Sequence, residues 1–131
     1  MPEGIAEGIG ASVRRKEDKK YTTGKGRYTD DIKRDGQLYA FFVRSNVAHA
    51  TIKKIDVSKA LTCDGVAAIY TGDDIAADGV GGPICGWVPT NRDGSAPKEP
   101  PHPLLARNKV RYVGDHIAVV IAESLEQARS A

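Results

Sequence analysis

"KVRYVGDHIAVVIAES", Lys109 to Ser124, is the stretch whose reading decides the architecture. Its second half, "HIAVVIA", is an almost unbroken apolar run, the pattern of a strand buried on both faces. It is far too short to span a bilayer, which takes about 20 apolar residues in a helix. The first half, "KVRYV", mixes polar and apolar residues, and Gly114-Asp115 between the halves is a strong turn signal, so the stretch predicts a hairpin. Ser124 then offers an N-cap to a helix through "SLEQARSA", with Leu125 and Ala128 expected on one inward face. No Gly or Pro stop follows before Ala131, and the reading expects a helix cut from a longer polypeptide.

Working outward, "GQLYAFFVRS" carries a second nearly continuous apolar run, Leu38 to Val43, after the punctuating Gly36. This run and "HIAVVIA" are expected to be the central strands of one sheet. "TIKKIDV" alternates imperfectly and reads as a weaker strand. "DVSKALTCDG" reads as a short helix with Asp56 as N-cap, Ala60 and Leu61 facing inward, and Gly65 as the stop. "VAAIYTG" is a strand, and "TGDDIAADG" a single helical turn begun by Thr71 or Asp73 and ended by Gly79. Ser12 can cap a helix holding Arg15 to Lys20 and ending before Gly24, with Gly24 and Gly26 as backbone hinges. Residues 1–11 are too rich in Gly and too poor in apolar side chains to bury much, and form an expected flexible lead-in to one α+β domain over 12–131.

Composition narrows the function. In 131 residues, 19 basic and 17 acidic side chains are mostly interleaved, and a net charge of +2 steers no polyanion. The run "RRKEDKK" alternates sign and reads as a solvated helical face. Cys63 and Cys85 have no CxxC partner and no His at ligand spacing, so they read as reduced core thiols and not as zinc or cluster ligands. The start "MPEGIAEGIGASV" lacks the charged-then-apolar build of a signal peptide, which places the chain in the cytoplasm as an expectation.

Individual side chains carry little chemistry. His49, His102 and His116 have no sequence-adjacent partner that would mark a base or a ligand. The acidic pairs Asp30-Asp31 and Asp73-Asp74 stand at turns or helix starts, where capping explains them. "GVGGPICG", Gly79 to Gly86, begins like a dinucleotide fingerprint but lacks the strand-turn-helix context, and Pro83 and Pro89 interrupt any helix. No catalytic, cofactor-binding or metal-binding residue is assigned. The segment most open to a binding role is Gly79 to Pro103, with five Gly and six Pro in 25 residues and Trp87 as its lone large aromatic.

Six stretches taken together resemble one known family. "GASVRRKED", "TGKGRYTDDI", "GQLYAFFVRSNVAHATIKKID", "DGVAAIYTGDDI", "PPHPLLARNKVRYVGDHIAVVIAES" and "EQARSA" are similar, in order, to the N-terminal domain of the large subunit of molybdenum hydroxylases. These are xanthine dehydrogenase, aldehyde oxidase and aerobic carbon monoxide dehydrogenase. Val47 and His116 stand where relatives often have Pro. The resemblance implies an α/β hammerhead domain with a mixed, partly barrel-like sheet and short flanking helices, and looks closer to the multi-subunit bacterial carbon monoxide dehydrogenase type than to the fused eukaryotic enzymes. It implies a whole enzyme that oxidises its substrate with water as oxygen source at a molybdenum-pterin cofactor, passing electrons to [2Fe-2S] clusters and FAD on partner chains. The family's pterin-holding residues and its base lie in later domains, so this chain is expected to hold no cofactor and to act as a scaffold. Its implied partners are those later domains and the iron-sulfur and flavin subunits, with no nucleic acid and no membrane span. The alternative is an independent module that binds a small ligand or a protein through Gly79 to Pro103.

Overall fold

The computed structural model describes residues 8–10, 15–84, 86–87 and 89–131. Most of the expected lead-in over 1–11 lies outside them, as do Ser12, Cys85 and Val88. In chain order the elements are α1 (Asp18–Thr22), β1 (Tyr39–Arg44), β2 (Ala50–Thr51), β3 (Val66–Thr71), α2 (Gly72–Ala77), β4 (Lys109–Val110), β5 (His116–Ala122) and α3 (Leu125–Ser130), with 3-10 turns at Thr29–Asp31 and Ala60–Thr62. Residues 1–35 and 36–131 form two units.

In the first unit, α1 is shorter than expected and starts later, with Glu17 at its N-cap and no buried residue. The Thr22 hydroxyl donates to the Asp18 carbonyl at 2.7 Å, and Gly24 at φ +70° ends the helix. The Tyr21 and Tyr28 rings lie 5.3 Å apart, and Gly26 sits so close to Tyr21 that a Cβ would overlap its ring.

The second unit is built on β5, which pairs antiparallel with β1 on one side and β3 on the other. Strand alternation sends Ala118, Val120 and Ala122 to one face, where all three are buried. There Val120 and Ala122 pack with Ala128 of α3 and with Phe41, Val66 and Ile69. The opposite face carries Val119 and Ile121, flanked in register by Phe42 and Ala40 of β1 and by Tyr70 and Ala68 of β3. The expected α+β hammerhead class is the one observed: a small mixed α/β domain with short helices. Among the described residues every strand pairing is antiparallel, and the strands divide between two sheets, β1-β5-β3 and β2-β4.

Several local expectations are corrected. The run "LYAFFVR" is an outer strand and not a central one, because β5 takes the middle position; its continuous apolar character comes from a second face that is half exposed. "KVRYV" and "HIAVVIA" form no hairpin. The Arg111 amide donates to the buried Asp115 carboxylate at 2.9 Å, and the Gly114 amide donates to the Ser45 carbonyl at 2.8 Å. Those bonds tie the turn to the end of β1 and release Lys109–Val110 to pair with β2. "TIKKIDV" contributes only Thr51 to a strand.

"DVSKALTCDG" makes a 3-10 turn and no α-helix. Asp56 accepts from the Ser58 amide at 3.1 Å, an Asx turn that competes with helix nucleation, and Leu61 is exposed. In α3, Leu125 and Ala128 lie roughly 60° apart around the axis, and contact centred on Ala128 leaves Leu125 in solvent. The caps of α2 and α3 are as expected, whereas Asp56 caps no helix. Ser124 Oγ accepts from the Gln127 amide at 3.2 Å, and the Thr71 amide and hydroxyl donate to Asp74 at 2.7 and 2.6 Å. Gly72 at the start of α2 is buried where a Cβ would lie 2.7 Å from the Leu105 carbonyl oxygen.

Val120 is 4% exposed in the middle of β5. Val120→Asp places an uncompensated carboxylate in that core, at a cost of several kcal/mol against a total stability of roughly 5 to 15 kcal/mol, and should abolish the cooperative thermal transition. Asp115→Ala should cost about 1 to 3 kcal/mol by leaving the Arg111 amide without its acceptor. A urea midpoint unchanged by Asp115→Ala would show that the carboxylate does not hold the turn.

Candidate interaction surface

The three histidines do not converge. His49 is exposed in the bend before β2, and His102 is exposed in the proline-rich stretch. His116 opens β5 half-buried, its ring 4.9 Å from that of Phe42. The acidic pairs separate by role. Asp31 accepts from the Tyr28 amide at 2.8 Å and Asp74 holds Thr71, which is the capping expected of them. Asp73 instead forms an exposed ion pair with Arg107 Nε at 2.8 Å, linking α2 to the segment before β4.

Cys63 is exposed, contrary to the core thiol expected; its Sγ donates to the Lys59 carbonyl at 3.6 Å within the 3-10 turn. Among the described residues no group of three or more His, Cys, Asp and Glu is placed to hold a metal ion.

The shifted carboxylates tell the same story. The Lys54 ammonium, helped by the Ser58 hydroxyl and amide, pulls Asp56 down to about 2. The Thr71 hydroxyl and amide lower Asp74, and the Ser95 hydroxyl and amide lower Asp93. In each case short donors stabilise the ionised form in a turn or cap. None of these groups is tuned toward neutrality, as a general acid or base would be.

What the fold does offer is surface. Residues 79–103 contain no helix or strand among those described. The loop is closed at its neck, where Gly82 lies so close to the His102 carbonyl that a Cβ would overlap the oxygen. Farther out, the Asn91 amide donates to the Ser95 carbonyl and the Gly94 amide to the Asn91 carbonyl, both at 2.9 Å, forming a small turn. Beside the neck lies an open recess of about 480 Å³, lined by Pro83, Ile84, Pro101, His102, Arg111 and Tyr112. Ile84 is 95% exposed and Trp87 78% exposed. A second apolar surface is the outer sheet face, where Phe42 and Tyr70 are each 42% exposed on either side of Val119. Large apolar side chains held outward by a hydrogen-bonded scaffold mark contact surfaces rather than chemistry. Sequence reasoning found the loop and Trp87. It missed the sheet face, because a run apolar on both faces was read as already covered.

The sequence pattern that defines the aldehyde oxidase and xanthine dehydrogenase a/b hammerhead domain matches residues 23–131. The chain belongs to that family. It is 41% identical over 94% of its length to the nicotine 6-hydroxylase large subunit of Paenarthrobacter nicotinovorans, of which it spans 14%. Its fold superposes on quinoline 2-oxidoreductase from Pseudomonas putida 86 with a TM-score of 0.79 and 35% identity, covering 91% of this chain and 14% of that one. The Cu,Mo-CO dehydrogenase gives a TM-score of 0.72 and 34% identity over 96% of this chain, again 14% of the other. The chain thus spans about one seventh of the length of the relatives it matches. This hammerhead domain is a part whose relatives are molybdenum-dependent oxidoreductases at full length. No helix among the described residues is long and apolar enough to cross a membrane.

Trp87 is the spectroscopic reporter of the loop, being the single tryptophan. Its emission in the 131-residue chain should be red-shifted and readily quenched by acrylamide, since the ring is mostly exposed. A blue-shifted, protected emission would mean that the ring is buried within the domain.

Proposed function

We propose that this hammerhead domain is the N-terminal structural and interface domain of the molybdopterin-binding large subunit of a molybdenum hydroxylase. The whole enzyme, on this reading, oxidises its substrate with water as oxygen source in the cytoplasm. It passes electrons to [2Fe-2S] clusters and FAD on partner chains. The observation that carries the reading is the match over residues 23–131 in a chain spanning 14% of its relatives. Two features of the chain support a scaffolding role: outward-facing apolar groups at Trp87, Ile84, Phe42 and Tyr70, and shifted carboxylates that are all explained by turns and caps.

The domain's part in the reaction would be mechanical. A catalytic pocket keeps its geometry only if the elements around it are rigid, and the β5-centred sheet with its α3 cover is a rigid block against which later domains can be fixed. The substrate is set by pocket shape beyond this chain. The recess beside residues 79–103 supports a second reading, in which the loop binds a ligand or protein on its own account.

Metal analysis separates the two. The polypeptide encoded in frame with this chain, purified with its partner subunits, should carry stoichiometric molybdenum and lose its oxidoreductase activity when residues 36–131 are deleted. The 131-residue chain alone should bind no molybdenum, iron or flavin. Molybdenum-free, inactive full-length protein would overturn the enzyme reading, and stoichiometric metal on the 131-residue chain would overturn the scaffold reading.

A further inference from the structure

The sequence holds four Asp-Gly pairs, Asp35-Gly36, Asp64-Gly65, Asp78-Gly79 and Asp93-Gly94, and the fold treats them differently. An Asp followed by Gly exposes its side-chain carboxyl to its own backbone, because Gly has no Cβ to block the approach and leaves the peptide free to swing. The Gly amide nitrogen can attack the Asp Cγ and close a succinimide ring with loss of a water. Water added back to the ring restores Asp or gives isoaspartate, in which the main chain runs through the former side chain. Reaching the ring requires a carboxyl without donors on it, an amide nitrogen not held by an acceptor, and room for the peptide to rotate.

Three of the pairs fail one of these conditions. Asp93 accepts from the Ser95 amide at 2.9 Å and from the Ser95 hydroxyl at 2.6 Å, while the Gly94 amide donates to the Asn91 carbonyl at 2.9 Å. At the end of α2 the Gly79 amide donates to the Ala76 carbonyl at 3.1 Å, which holds the nucleophile in the helix cap. Gly65 is clamped from two sides: its carbonyl accepts from the Glu123 amide at 2.9 Å, and the Gln127 side chain lies where a Cβ would stand. Rotation of the Asp64-Gly65 peptide would break the one contact and collide with the other.

Asp35-Gly36 meets all three. Both residues are exposed in a turn. Among the described residues the Asp35 carboxylate and the Gly36 amide have no hydrogen-bond partner, and nothing lies within 4 Å of the place a Gly36 Cβ would take. Gly36 sits at φ +73°, a conformation that favours glycine, so the turn itself keeps the reactive pair together. The same peptide bond joins the units 1–35 and 36–131.

We propose that Asp35 is a modification site, isomerising to isoaspartate in the folded protein ahead of the other three Asp-Gly pairs. The step needs no reactant besides water. Ring closure forms the bond from the Gly36 nitrogen to Asp35 Cγ and expels the amide proton and the carboxyl hydroxyl as water. Ring opening adds a water across the bond from that nitrogen to the Asp35 main-chain carbonyl carbon, breaking it, so mass is unchanged. The product carries an extra methylene in the main chain between the two units and a free α-carboxylate as its side group, with the hydrogen bonds inside each unit left as they were. The site stands whether or not the whole protein is an oxidoreductase.

The test is to incubate the 131-residue chain near neutral pH, digest it, and assign the linkage at each Asp-Gly pair by electron-transfer fragmentation, which separates the two isomers at equal mass. Isoaspartate should accumulate at position 35 at least about fivefold faster than at 64, 78 or 93, the factor that one net hydrogen bond imposes on local opening. In urea, where those restraints are gone, the four rates should converge. Equal rates in the folded chain, a faster rate at another pair, no isoaspartate at position 35, or the same ratios in urea as in buffer would overturn the proposal. Asp35→Glu, whose longer side chain closes the ring poorly, should remove the earliest product while leaving the far-ultraviolet dichroism unchanged. An undiminished early yield of isoaspartate in that variant would place the reaction elsewhere.

Discussion

The turn at Gly114-Asp115 governs how the chain divides its strands. A buried carboxylate is costly unless its acceptor sites are filled, and Asp115 fills one from the Arg111 amide while its own backbone carbonyl accepts from Ser45. Because Ser45 closes the end of β1, one turn fixes the β1-β5 register and points the preceding residues away from the sheet. Lys109–Val110 then meets Ala50–Thr51, and the second sheet exists because the first sheet's hairpin partner was taken from it. The same turn reaches the loop of residues 79–103, since the recess at its neck is walled in part by Arg111, Tyr112 and Asp115.

The two faces of the three-stranded sheet have different fates. On one, small residues let α3 approach closely, Ala128 lying against Val120 and Ala122. On the other, the larger side chains of Phe42 and Tyr70 stand half in water. A chain whose inner face is closed by alanines and whose outer face carries Phe42 and Tyr70 can fold around one and assemble with the other.

Legibility in the sequence followed the range of the forces involved. Capping and turn signals act over three or four residues, and Thr71 with Asp74, Ser124 with Gln127, and the stop at Gly79 were all readable. Strand identity was readable too, because apolar runs are local. Strand order was not. Whether "LYAFFVR" lies inside or at the edge depends on which partners reach it, and Asp115 choosing Arg111 and Ser45 over a plain hairpin is a tertiary event with no local signature. Cys63 and Leu61 were misplaced for a related reason: in a 3-10 turn with an Asx turn before it, the 3.6-residue period that assigns an inward face does not apply. Gly72 and Arg107 could not have been paired from sequence, since the close approach of α2 to the Leu105 carbonyl joins segments more than thirty residues apart.

The closed neck at Gly82 and His102 has an implication for how such a domain can change over time. A contact that admits only glycine at position 82 pins the two ends of the intervening chain together. Doubling the length of a loop so anchored costs only about 0.6 kcal/mol of closure entropy. Insertions, deletions and new aromatic anchors between the two residues can therefore accumulate without disturbing β5, and the excursion is free to be re-tailored to whatever surface it faces while the neck keeps it in place.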